Sequence, residues 1–121
     1  MPGNPEFGRR IRQLREKKKL TDTRFTLRQF AVALDLSATF ISKMETGEYA
    51  PPSPEKIKKM AELLEVDADE LLALAGKVDP ELNEIIRKQP KMLPDFLRSV
   101  RGKSAEELKK IIEETQKKHK E

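Results

Sequence analysis

Cysteine is absent from the 121 residues, which excludes disulfide cross-links, thiol nucleophiles and thiolate-bound zinc. There is no tryptophan and a single tyrosine, and aromatics make up 5% of the chain. That is a poor supply for β-strands, which favour aromatic and β-branched residues. The one histidine, His119, stands in a lysine-rich tail without partners for a metal site, so a solvated residue is expected there and no metal or cofactor. No apolar run is longer than Leu71 to Ala75, which is far short of the roughly 20 residues needed to span a bilayer. The opening Met1-Pro2-Gly3-Asn4-Pro5 has no apolar segment of the secretory kind. A soluble, cytoplasmic protein is the expectation. A glycine-rich phosphate loop is missing too, and the paired carboxylates Glu106–Glu107 and Glu113–Glu114 read as solvated helix faces. Together these absences argue against an enzyme.

What is plentiful is charge, at 38% of residues, and it is unevenly spread. Residues 1–60 hold 13 Lys and Arg against 7 Asp and Glu, whereas residues 61–121 hold 12 against 14. A basic front half and a mildly acidic back half suggest that the front alone meets a polyanion.

Apolar residues recur at helical spacing in short, capped segments. Phe7, Ile11 and Leu14 define a first helix over about Pro5 to Lys18, and Lys19 to Phe25 has no period and reads as a loop. Thr26 with Gln29 forms a capping-box pattern that opens a second helix from Leu27 to about Leu34. Ser37 caps a third, Ala38 to about Thr46, with Gly47 placed to stop it. The stiff connector Ala50-Pro51-Pro52-Ser53-Pro54 leads into a helix carrying Ile57, Met60, Ala61 and Leu64. Asp67 with Glu70 starts a fifth that ends at Gly76. Three further amphipathic segments follow. They carry Leu82, Ile85 and Ile86, then Leu93, Phe96, Leu97 and Val100 with Pro94 in the first turn or at a kink, then Leu108, Ile111 and Ile112 behind a Ser104–Glu107 cap. Their stripes are too narrow for a core of their own, which points to packing on the preceding domain or on a second subunit.

Only two residues, Asp35 and Leu36, separate helix two from the Ser37 cap of helix three. So tight a joint forces a steep crossing, with small or apolar residues at the contact. Ala31, Leu34, Leu36, Ile41 and Met44 fall at those inward positions. The turn also needs a residue that tolerates positive φ, for which Asp35 is acceptable. Such a pair can project its second helix into a major groove about 12 Å wide.

The stretch from Thr26 to Gly47, TLRQFAVALDLSATFISKMETG, resembles the Cro/CI-type, or Xre-type, helix-turn-helix of phage repressors. The likeness extends back to Ile11-Arg-Gln-Leu-Arg15 and on to Leu71-Leu-Ala-Leu-Ala75, covering about Phe7 to Gly76. It implies an all-α fold: a five-helix, lambda-repressor-like DNA-binding domain over 1–76, with a short C-terminal helical extension over 77–121. Three departures stand out. Asp35 replaces the usual turn glycine, and Leu27 stands where a phosphate-contacting glutamine is common. The Lys19–Phe25 loop is longer than typical, which means either an added backbone contact through Arg24 or surface slack.

By position, the resemblance places Ser37, Ala38, Thr39, Ser42 and Lys43 on the exposed face of the recognition helix. Ala38 and Thr39 would offer methyl groups to thymine, Thr39 and Ser42 hydroxyls to base edges or phosphates, and Lys43 an ammonium to guanine. The face lacks Arg, Asn and Gln, so preference is expected to rest partly on DNA shape. Phosphate contacts are expected from Arg28, from the Thr26 backbone N–H, from Lys56 and from Tyr49. Arg9, Arg10, Arg12 and Lys17 to Lys19 are weaker candidates, since a basic helix face is more often just solvated. Arg15 and Glu45 are expected to pair beneath the recognition helix, a structural role. The Ala75-Gly76 pair matches the self-cleavage bond of some phage-type repressors, but 45 helix-patterned residues follow it rather than a β-rich catalytic domain, and a helix C-cap is the better reading.

The functional expectation is a transcriptional regulator, of repressor type, binding duplex DNA at an inverted repeat as a homodimer. The alternative is an antitoxin-like or adaptor module whose C-terminal helices hold a partner protein.

Overall fold

A computed structural model describes residues 3–120, without the side chains of 119 and 120; the expectation for the His119 side chain thus lies outside the described residues. Among these residues the protein is all-α, with eight helices, two 3₁₀ turns and no strand. The helices are α1 (Pro5–Lys19), α2 (Leu27–Leu34), α3 (Ala38–Glu45), α4 (Pro54–Leu64), α5 (Ala68–Leu74), α6 (Asn83–Lys88), α7 (Met92–Ser99) and α8 (Ala105–Lys120). They divide between two units, Met1–Leu82 and Asn83–Glu121.

In the first unit the apolar stripes converge on one core. Phe7 and Ile11 of α1, Phe30 and Leu34 of α2, Ile41 and Met44 of α3, Ile57 and Met60 of α4 and Leu72 of α5 are fully buried. Each such side chain contributes about 1.5–3 kcal/mol through removal from water, so all five helices are bound into the same cooperative structure. The helix starts follow the caps. Hydroxyls of Thr26, Ser37 and Ser53 and the carboxylate of Asp67 accept from the amides of Gln29, Phe40, Lys56 and Glu70. Only half of the capping box at Thr26 forms, because the Thr26 amide turns instead to the Thr23 carbonyl at 3.4 Å.

The α2–α3 joint closes as its brevity demands. Asp35 adopts the left-handed conformation, φ 56° and ψ 44°, and the Leu36 amide returns to the Ala31 carbonyl at 2.9 Å. Ala31 is 1% exposed, small enough for the two helices to cross closely.

The segment between α1 and α2 departs from the loop expectation. Thr23–Phe25 forms a 3₁₀ turn, and Phe25 is buried with its ring centroid 6.0 Å from that of Phe30. Asp22 caps the turn at the Arg24 amide and grips the Arg24 guanidinium, with Nη2 to Oδ2 at 2.7 Å. That guanidinium, first, and then the amide hydrogen bond pull the Asp22 carboxyl down to about 2. The longer connection is therefore ordered by its own Asp22–Arg24 turn and anchored to the core at Phe25, and the reading as slack is corrected: an aperiodic segment hid a core aromatic.

The second unit is different in kind. Its helices have good local signals: Ser104 and Glu107 cap each other reciprocally at 3.1 Å, and Pro94 falls in the first turn of α7, where a missing N–H costs nothing. Yet no described side chain between residues 83 and 118 is buried. Ile85, Met92, Phe96, Leu97 and Ile112 are all about half exposed or more. No helix among the described residues is long and apolar enough to cross a membrane.

Candidate nucleic-acid interface

The α3 helix has two distinct sides. Ile41, Met44 and Glu45 are buried, and Ser37, Thr39 and Ser42 are exposed, with Ala38 and Lys43 half-buried. Thr39 and Ser42 are three residues apart, so they share a face. With Leu27, Ala38, Lys43, Thr46 and Glu48 they line an open concavity of about 330 Å³. Four of the five residues expected to meet the bases, Ala38, Thr39, Ser42 and Lys43, are therefore brought together, while Ser37 stands outside this lining as the N-cap of α3.

Two features underneath fix the angle of this helix. Arg15 of α1 and Glu45 of α3 form a buried, two-pronged pair, Nε to Oε2 at 2.7 Å and Nη2 to Oε1 at 2.9 Å, with side chains 6% and 5% exposed. The hydrogen bonds that Arg15 donates to Glu45, outweighing burial, hold its guanidinium above the ordinary range. The third prong of Arg15 donates to the Phe25 carbonyl at 3.1 Å, which ties the turn before α2 to the base of α3. The second feature is Gly8. It is buried where α1 crosses the end of α3, and a Cβ built there would overlap the Met44 carbonyl oxygen and lie 2.8 Å from that of Glu45. Only glycine permits this approach. Sequence reading passed over Gly8, because a glycine inside a helical pattern looks like a weak position and nothing local announces a crossing.

The end of α3 folds back on itself. Gly47 has φ +87°, a conformation that favours glycine, and the amides of Glu48 and Tyr49 both donate to the Lys43 carbonyl, at 2.8 and 3.2 Å. Tyr49 thereby packs on Phe40, ring centroids 5.8 Å apart, under the Lys43 ammonium at 5.7 Å. Lys43 also pairs with Glu48 at 3.3 Å. Its ammonium is thus on the expected face but engaged. Glu48 was missed by sequence reading; its place after Gly47 was the available signal.

The flanking cations divide. Arg28 is exposed at the first turn of α2, as a phosphate contact requires. Lys56 is half-buried and its ammonium donates to the Leu34 carbonyl at 2.6 Å, a clamp on the end of α2. The Thr26 amide already faces Thr23, and Arg24 is held by Asp22. On α1, Arg12 pairs with Glu16 at 3.2 Å and Lys18 with Glu65 at 3.2 Å. Arg9, Arg10, Lys17 and Lys19 are exposed.

A capped, short-turned pair of helices on a five-helix core, with a polar outer face on the second, defines a helix-turn-helix protein. The chain belongs to the helix-turn-helix domain family, whose model matches residues 6–74. It is similar to two proteins of Bacillus subtilis strain 168. One is named an uncharacterized HTH-type transcriptional regulator, RghRB, 39% identical over 79 residues, which are 65% of this chain and 53% of that protein. The other is named an HTH-type transcriptional repressor, RghR, 38% identical over 73 residues, 60% of this chain and 50% of that protein. The chain thus spans about half the length of the curated relatives it matches. No solved structure gives a significant match.

Proposed function

We propose that this protein is a transcriptional regulator of the Cro/CI type, acting as a repressor, that binds duplex DNA by inserting α3 into the major groove. The observation that carries this reading is the division of α3 into a side locked to the core by Ile41, Met44 and Glu45 and a side that offers Thr39 and Ser42 to solvent. A helix supported in this way enters a groove without disturbing the fold beneath it. The basic balance of residues 1–60 supplies the attraction to phosphates. Arg28 is the leading phosphate contact, with Ser37, Ala38, Thr39, Ser42 and Lys43 toward the bases and Tyr49 at the edge. The role is one of binding, without catalysis.

Selection of bound duplexes from a random pool, followed by titration over a salt series, tests the reading. Thr39→Ala is expected to change the enriched sequence at one position. Arg28→Ala is expected to weaken binding to all sequences alike and to lower the salt slope by about one. A wild-type protein that enriches no sequence and binds without salt dependence defeats the proposal.

We further propose that residues 83–121 pair two copies, so that two recognition helices meet half-sites about 34 Å apart in an inverted repeat. The support is the row of exposed apolar side chains on α6, α7 and α8, more than such short helices leave to water without a partner. Light scattering is expected to give a dimer for the full chain and a monomer for residues 1–82. A full chain that is monomeric and recovers a different protein from its cell would favour the adaptor reading instead.

A further inference from the structure

The recognition face carries one carboxylate for which the reading above has no use. Glu48 lines the same concavity as Ala38, Thr39 and Ser42, and it is there because the turn at Gly47 sends both following amides back to the Lys43 carbonyl. Lys43 bonds Oε2 of the carboxylate at 3.3 Å, yet the Glu48 side chain remains 61% exposed.

A carboxylate on a surface that meets rows of phosphates is electrostatically unfavourable. Lys43 offsets part of that cost, and the remainder calls for a hydrogen-bond donor from the DNA, because an ionised carboxylate can only accept. Major-groove edges present two such donors, the amino groups of cytosine and adenine. Adenine sets the N7 acceptor beside its amino group, and N7 would repel the second carboxylate oxygen. The cytosine amino group has an acceptor, the paired guanine O6, on one flank only; its other flank is the C5–H edge, where a second carboxylate oxygen meets no lone pair.

We propose that Glu48 is a specificity-determining residue that accepts a hydrogen bond from a cytosine amino group, with Lys43 held against it. The inference rests on the major-groove reading of α3.

Its test is selection of bound duplexes by the full chain, by Glu48→Gln and by Glu48→Ala, the position being exposed enough that neither variant threatens folding. The wild type is expected to enrich cytosine at one position of each half-site. Glu48→Gln is expected to move that position toward adenine, whose amino group and N7 match a carboxamide. Glu48→Ala is expected to reduce discrimination there by about fivefold or more, the equivalent of about 1 kcal/mol, with the other positions unchanged. Wild-type sequence preference retained by both variants, with tighter binding to every duplex, would overturn the proposal and reduce Glu48 to a screen for Lys43. Preference lost at many positions at once would overturn it as well. A wild type with no enriched sequence would instead defeat the regulator reading, before Glu48 is at issue.

Discussion

Arg15→Ala is expected to destabilise the first unit by about 3–5 kcal/mol, because it leaves the Glu45 carboxylate buried without a partner. For a unit of this size that corresponds to a fall in melting temperature of about 12 °C or more. The geometry makes the loss large: two charge-assisted bonds to Glu45 and a third to the Phe25 carbonyl disappear together. Glu45→Ala is expected to cost a similar amount, stranding the guanidinium. Replacing both residues by apolar ones of similar volume, Arg15→Met with Glu45→Leu, is expected to recover most of the loss, since it removes both buried charges at once. Urea and thermal unfolding of the four proteins checks this. Single variants that lose less than about 1 kcal/mol, the range of an exposed pair, would show that the pair is not buried as described.

Gly8→Ala is expected to destabilise the protein, against the ordinary rule for helix interiors. Alanine in place of glycine normally improves a helix by about 1 kcal/mol. Here the added carbon meets the backbone carbonyls of Met44 and Glu45, and backbone cannot rotate away as a side chain can. Forcing α1 off α3 is expected to cost about 1–3 kcal/mol, the usual range for overpacking, and Gly8→Val more. Since the displaced partner is the helix proposed to enter the groove, DNA affinity is expected to fall further than stability. A Gly8→Ala protein that melts higher than the parent contradicts the crossing.

The parts of this fold that were legible in the sequence are those whose signal is local. A cap is a side-chain oxygen and an amide three residues apart, so Ser37, Ser53 and Asp67 could be read directly, and so could the apolar stripes and the short joint at Asp35. Arg15 and Glu45 are 30 residues apart; spacing alone says nothing of them, and only the resemblance paired them. Gly8 looked like a weak helix position because its partner is a distant backbone. Phe25 was hidden in a stretch without period, though it is core.

The candidate site was half legible for the same reason. Which residues of α3 face outward follows from helical periodicity, and Thr39 and Ser42 are where it puts them. Whether a cation is free does not follow from its position. Lys56 found a carbonyl 22 residues away that tertiary structure supplied, and Arg24 and Lys43 found carboxylates two and five residues away through the turns that place them.

The central claim is that α3 lies in the major groove, and base-analogue interference tests it most directly. In the selected duplex, thymine is replaced by uracil to delete the methyl group, and guanine by 7-deazaguanine to delete N7, one position at a time. A short run of such changes in each half-site is expected to weaken binding several-fold, while blocking the minor groove between them is expected to leave affinity largely intact. Indifference to every major-groove change, with binding lost on blocking the minor groove, would contradict that claim.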